Sequence, residues 1–264
     1  MGAIGSGEKQ EALPWSISLA GAFLGFLLMT VAAPVAIGWL GLRPGLLVAE
    51  LLLALPALLA LAAGGQLLPE ALGLHPVSPR IALLSIGLGA CLWTASLGLI
   101  TLQAVVWPPP ADYLKEVVQR LHESLRPSGP LDAALSVAAV ALAPALCEEL
   151  VFRGVLLPSI GKVVGPGIAA AASSLLFGII HLDVYSGGYS LYRVPFAFVV
   201  GLSLAALRLR TGSLYPPIAA HATLNTITIA TALAVPDPPS ALGLPLLLAG
   251  AAAALVLARA LPRR

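Results

Sequence analysis

Residues 135–160 read LSVAAVALAPALCEELVFRGVLLPSI and place two adjacent glutamates, Glu148 and Glu149, inside an apolar run. The run exceeds the ~20 residues that a helix needs to cross a bilayer. A charged side chain at the bilayer centre costs at least ~2.5 kcal/mol on insertion scales, so intramembrane carboxylates are expected to serve a function. The stretch therefore predicts a membrane helix that carries part of a polar site.

The composition of the whole chain supports a membrane protein. Of its 264 residues, 59% are hydrophobic and only 10% are charged, whereas soluble domains carry about 25% charged residues. The net charge of +2 is small and the basic residues are dispersed, so no nucleic-acid partner is indicated. The predicted fold class is all-α, a polytopic membrane bundle of about eight transmembrane helices around a polar intramembrane site, with the lipid bilayer as its surroundings.

Eight apolar spans can be marked, and proline or glycine punctuates most of the joins between them. The predicted spans are residues 15–42, 45–68, 81–107, 131–158, 164–182, 194–209, 213–235 and 240–261. Between the third and fourth spans, residues 111–129 have apolar residues at helical spacing. This segment predicts an amphipathic helix on the membrane surface, with an ordinary solvated connector as the alternative.

The distribution of Lys and Arg predicts the orientation. With eight spans both termini share a side, and that side would carry eight basic residues against five on the other. Because basic loops stay in the cytoplasm, both termini are predicted to be cytoplasmic. The composition, rich in Ala, Leu, Pro and Arg, indicates a bacterial cytoplasmic membrane.

Strongly polar residues inside the apolar spans concentrate in three places, and in each place one of them stands four residues from another residue named below. Residues at this spacing share a helix face and can pair, whereas Glu148 is rotated about 100° from Glu149. Three helices are therefore predicted to present polar faces to one site. These residues are Glu148, Glu149 and Arg153; Phe177 and His181; and His221 and Asn225.

Each of these groups also has a simpler interpretation. Glu149 and Arg153 could form a plain ion pair, His221 and Asn225 could hydrogen-bond between helices, and His181 could be an interface residue. Glu50 is predicted to lie at the membrane interface beside Arg43, on the side opposite the two glutamates and without a function.

The chemistry available to such a site is hydrolysis of a peptide or amide bond. A carboxylate with an imidazole can activate water, and a second histidine with an asparagine can donate to an oxyanion. Alternatively, two histidines and a glutamate can bind zinc and leave a position open for water. No HExxH motif, paired membrane aspartates or GxSG-like serine set opposite a histidine supports the other intramembrane routes.

The motifs EELVFR (148–153), FGIIH (177–181) and HATLN (221–225), in this order, resemble those of the CPBP intramembrane proteases. This family includes the type II CAAX prenyl endopeptidases, the bacteriocin-processing and immunity proteins called Abi, and sorting-tail proteases of the myxosortase kind. The resemblance covers about residues 131–235. It implies a catalytic core there, with N-terminal membrane helices and the connector in 1–130 and a C-terminal membrane helix in 236–264.

The resemblance implies a role for each motif residue. Glu148 would activate water, His181 would assist it, and His221 and Asn225 would stabilise the oxyanion. Glu149 and Arg153 would organise the site, with Phe177 in support. No cofactor is favoured, although zinc held by Glu148, His181 and His221 is possible.

The substrate implied is a membrane-anchored protein or peptide: a prenylated protein, a bacteriocin leader or a C-terminal sorting tail. Two other classes of function stay open. One is a non-catalytic immunity or scaffold protein that keeps the motifs for stability. The other is a proton-coupled transporter, which is disfavoured because transporters usually contain repeats and none is visible.

Overall fold

The computed structural model describes residues 13–185, 188–232 and 240–262, and these residues are mostly helical. One 3₁₀ turn, Ser240–Leu242, precedes the last helix, and two short antiparallel strands, β1 (Asp183–Tyr185) and β2 (Gly188–Ser190), form a hairpin. The helices are α1 (Trp15–Leu40), α2 (Leu42–Ala63), α3 (Leu68–Leu72), α4 (Pro79–Val106), α5 (111–125), α6 (Pro130–Val164), α7 (Pro166–Ile179), α8 (Val194–Thr211), α9 (Tyr215–Ala232) and α10 (Gly243–Arg259).

The predicted helical membrane bundle is confirmed. Five of the described helices, α1, α2, α4, α6 and α8, are long and apolar enough to cross a bilayer. Many large apolar side chains, such as Trp39 at 87% exposure, lie on outer faces where a soluble protein would place polar groups. The chain is thus an integral membrane protein.

The number of crossings stays a prediction, as do the orientation and the bacterial membrane. The fifth predicted span corresponds to α7, which has only 14 residues. At 1.5 Å per residue this helix is about 21 Å long, shorter than the ~30 Å hydrocarbon core. The eighth corresponds to α10, which has 17 residues.

Helix α6 lies at the centre of the bundle. All seven residues from Val151 to Leu157 are buried, so the helix is covered on every side over this stretch. Its hydrogen bonding changes from α-helical to π-helical at 138–142 and again at 150–156. Such π-helical turns are frequent at functional sites, and here they flank Glu148 and Glu149.

Close helix contacts through small residues hold the bundle together, as is usual in membranes. Helices α1 and α2 form a hairpin in which Gly25 lies directly against the backbone of Leu53, leaving no room for a Cβ atom. Helix α4 packs between α9 and α10, and Gly89 and Gly250 allow the two approaches.

The helix predicted at 111–129 is present as α5. Its Tyr113 is buried, and the Tyr113 hydroxyl donates a hydrogen bond to Asp183 Oδ2 at 2.9 Å. Burial, followed by the Asp183 carboxylate, raises the pKa of Tyr113, which keeps this donor protonated. Arg193 pairs with the same aspartate at 3.4 Å. Helix α5 is therefore tied to the segment after His181, and its place on a membrane surface stays a prediction.

Candidate active site

The hairpin of α6 and α7 brings the first two motifs together. Gly165, with a φ of 81°, makes the turn between the helices. Glu149 lies sixteen residues before this glycine and His181 sixteen residues after it. Positions equally far from the turn of an antiparallel pair lie at similar depth, so the short α7 places His181 level with the glutamates.

A buried ion pair forms the base of the site. Arg153 Nη1 donates to Glu149 Oε1 at 2.7 Å, and both side chains are fully buried. Arg153 Nη2 donates to the carbonyl oxygen of Gly201 on α8 at 2.8 Å. The guanidinium also lies over the Phe177 ring, 4.5 Å from its centroid. Arg153 thereby joins α6, α7 and α8.

His221 on α9 joins the two glutamates. Its Nδ1 lies 3.0 Å from Glu149 Oε1, the oxygen that also accepts from Arg153. A carboxylate held by a guanidinium acts as an acceptor, so His221 Nδ1 carries the hydrogen and Nε2 is left for other partners. This Nε2 lies 3.7 Å from Glu148 Oε2. The two carboxylates thus meet opposite nitrogens of one imidazole.

His181 is fixed by its own helix. Its Nδ1 lies 2.8 Å from the carbonyl oxygen of Phe177, and because a carbonyl can only accept, Nδ1 must donate. The Phe177 ring packs against both imidazoles, with centroid distances of 4.8 Å to His181 and 5.8 Å to His221. Each histidine therefore has a fixed ring orientation and a lone pair at Nε2.

Asn225 lies one helical turn beyond His221 and is half-buried. Within the described part of the chain, no hydrogen bond links Asn225 to the glutamates, and none links His181 to them. The structure thus brings Glu148, Glu149, Arg153, Phe177 and His221 into direct contact, with His181 attached through Phe177.

The predicted position of Glu50, away from Glu148 and Glu149, is wrong. Arg43, its predicted neighbour, instead pairs with Asp132 at 3.1 Å and donates to Ser136 Oγ at 2.7 Å. Glu50 lies within electrostatic reach of Glu148 and Cys147. Its Oε2 is buried and has no hydrogen-bond partner in the part of the chain that the structure describes.

The position of the second helix explains this error. Helix α2 begins at residue 42 and ends at 63, against the predicted 45–68, so Glu50 lies about 12 Å from the start of the helix. The buried residues Leu53, Ala54 and Ala57 follow Glu50 at helical spacing. This pattern of small and apolar residues was the signal that Glu50 belongs to the inner face.

The candidate zinc ligands do not fit a metal site as arranged. Among the described residues, no group of three or more His, Cys, Asp or Glu side chains is placed to hold a metal ion. We therefore derive no step through a metal.

Comparison with known families bears on this site. Residues 130–227 match the family described as type II CAAX prenyl endopeptidase, Rce1-like. The predicted family is confirmed over this segment. The match spans 98 of the 264 residues and includes all three motifs, while Glu50 lies outside it. At the coarse level it indicates a protease. No curated protein and no solved structure was found to match the chain.

Proposed function

We propose that this protein is an intramembrane endopeptidase that hydrolyses a peptide bond of a membrane-anchored protein or peptide. The observation that carries the proposal is the contact of Glu148 and Glu149 with opposite nitrogens of His221, inside a bundle of apolar helices. The family match over 130–227 supports the same activity.

Glu148 is the group best suited to activate water. Glu148 is 7% exposed, and its Oε2 has no hydrogen-bond partner among the described residues. Glu149, in contrast, is held at Oε1 by both Arg153 and His221. A carboxylate that is enclosed but free to accept a proton suits a general base, so the two glutamates have different roles.

The proposed reaction uses Glu148 twice. Glu148 takes a proton from water while the water oxygen attacks the carbonyl carbon of the substrate, which forms a tetrahedral intermediate. The same proton then passes from Glu148 to the leaving amide nitrogen as the carbon–nitrogen bond breaks. The products are a carboxylic acid, which keeps the second hydrogen of the water, and an amine, and Glu148 returns to its starting state.

His181, His221 and Asn225 complete this scheme. His221 and Asn225 donate to the oxyanion, an interaction that is strong where water is excluded. Because His221 Nδ1–H is committed to Glu149, His221 donates to the oxyanion from Nε2 only in its doubly protonated form. His181, with Nδ1–H held by Phe177, assists Glu148 by accepting a hydrogen bond at Nε2 from the Glu148 carboxyl group once that group has taken the proton.

Purified protein in liposomes tests the proposal. The probes are a quenched fluorogenic peptide with a farnesylated cysteine near its carboxyl end and a quenched peptide with one leucine-rich membrane span. We expect the wild type to cleave at least one probe, and in H₂¹⁸O the new carboxyl terminus should carry one ¹⁸O. Glu148→Gln should reduce turnover by about 10²-fold or more, because the amide cannot take the proton.

The matched control is Glu70→Gln, which removes an exposed carboxylate on α3. This variant should cleave at the wild-type rate. Turnover by Glu148→Gln at the rate of Glu70→Gln would contradict the proposal, as would the failure of the wild type on both probes.

A further inference from the structure

Glu50 is a carboxylate that the proposed mechanism does not use. It lies on α2, outside the segment that matches the protease family. Helix α2 packs against α6 around the two glutamates. A carboxylate in a membrane helix is costly, so its place beside the site calls for an explanation.

A structural carboxylate in this bundle would have a cationic partner. Asp132 is such a case, because it pairs with Arg43 and accepts two hydrogen bonds from Ser128. Within the described residues no ion pair or hydrogen bond satisfies Glu50 Oε2. The ionisable groups within electrostatic reach of Glu50 include Cys147 and Glu148, and no salt bridge among the described residues includes Glu50.

Glu148 has the same deficiency. Its Oε2 is also buried without a hydrogen-bond partner among the described residues. Two ionised carboxylates on facing helices cannot satisfy each other, because each of them only accepts. Buried polar atoms of this kind are normally satisfied by water, which has two hydrogens to donate.

We propose that Glu50 is a positioning residue that holds the attacking water against Glu148. This inference rests on the proposed function. The water donates one hydrogen to each carboxylate, and its oxygen lone pairs are left for the substrate carbonyl carbon. Glu148 takes the proton on its side during attack, while Glu50 accepts the other hydrogen bond and stays unchanged.

This role predicts that replacing Glu50 affects activity and stability differently. If Glu50 were structural, its replacement would lower the stability of the bundle. If Glu50 orients water, its replacement removes an unsatisfied carboxylate from an apolar interior, so the stability is kept or increased while turnover falls. A gain in stability that accompanies a loss of activity is typical of replacements at functional sites.

The test compares Glu50→Leu, Glu50→Gln and the matched control Asp132→Asn, which removes the paired carboxylate. Turnover of the two fluorogenic probes gives kcat and KM, and thermal unfolding in detergent gives the stability.

We expect Glu50→Leu to lower kcat by about 10- to 100-fold, as for other residues that orient a reacting group, with an unchanged KM and an unfolding temperature no lower than wild type. Glu50→Gln, which can still accept a hydrogen bond, should recover part of kcat. Asp132→Asn should unfold at a lower temperature with an unchanged kcat.

Two results would overturn the role of Glu50. One is an unchanged kcat in Glu50→Leu, and the other is a fall in kcat together with an unfolding temperature below that of Asp132→Asn. Glu148→Gln, measured in parallel, separates the two claims. If Glu148→Gln is inactive and Glu50→Leu is fully active, the positioning role fails and the proposed function stands. If Glu148→Gln is active, the proposed function fails and the water-holding role fails with it.

Discussion

Glu149 is the carboxylate on which the order of the site depends. One of its oxygens accepts from Arg153 at 2.7 Å and lies 3.0 Å from His221 Nδ1. The carboxylate therefore fixes both the guanidinium that joins three helices and the imidazole that meets Glu148. In the proposed reaction Glu149 orients His221 and neutralises Arg153, whereas its neighbour Glu148 activates water.

Replacing Glu149 should therefore reduce stability. Glu149→Leu leaves the fully buried Arg153 without its counter-ion, and breaking a buried pair costs about 3–5 kcal/mol. Arg193→Gln is the comparison, because its pair with Asp183 has a 43% exposed arginine side chain and should contribute less than about 1 kcal/mol. Reversible unfolding in detergent measures both. Equal stabilities of the two variants would contradict the role of Glu149 as the counter-ion of Arg153.

The motif residues could be predicted from the sequence because they are polar residues in apolar helices with four-residue spacing. Their pairing could be predicted only where both partners share a helix, as Glu149 and Arg153 do. The bond from His221 to Glu149 joins residues 72 positions apart, and no local pattern indicates it. The position of Glu50 was predicted wrongly because its distance from the end of α2 depends on the residue at which this helix begins.

At the scale of elements, the site depends on how closely α8 approaches α6 and α7. Gly201 on α8 accepts the Arg153 hydrogen bond through its carbonyl oxygen. A Cβ atom at this position would lie 3.0 Å from Ser174 Cβ, 3.2 Å from Arg153 Nη2 and 3.2 Å from the Phe177 ring. The absence of a side chain at Gly201 thus keeps the arginine and the ring in place.

Gly201→Ala should therefore lower activity by shifting Arg153 and Phe177, with a stability loss of about 1–3 kcal/mol typical of overpacking. Gly167→Ala on α7 is the control, because its Cβ would have no atom within 4 Å. Probe turnover and thermal unfolding measure the two effects. Wild-type behaviour of Gly201→Ala would show that the helices can separate without disturbing the site.

Most helix positions could be predicted because apolar length determines a membrane span. The π-helical turns of α6 could not, since hydropathy does not distinguish a π-helical turn from an α-helical one. The short α7 was also predicted too long, because the apolar residues after Ile179 continue past the end of the helix.

At the scale of the whole molecule, the proposed reaction needs only the groups of the chain and a water molecule. Cleavage should therefore persist after exhaustive treatment with 1,10-phenanthroline and EDTA, and elemental analysis of the active protein should find no stoichiometric metal. Loss of cleavage that added zinc restores would contradict the metal-free scheme. Glu70→Gln, treated in the same way, controls for direct effects of the chelators.

The most direct measurement of the central claim is a comparison of membrane-protein termini, by mass spectrometry, in cells that express the wild type or Glu148→Gln at equal levels. The account predicts at least one new terminus, in a membrane-anchored protein, that is present with the wild type and absent with the variant. Identical sets of termini in the two cells would contradict it.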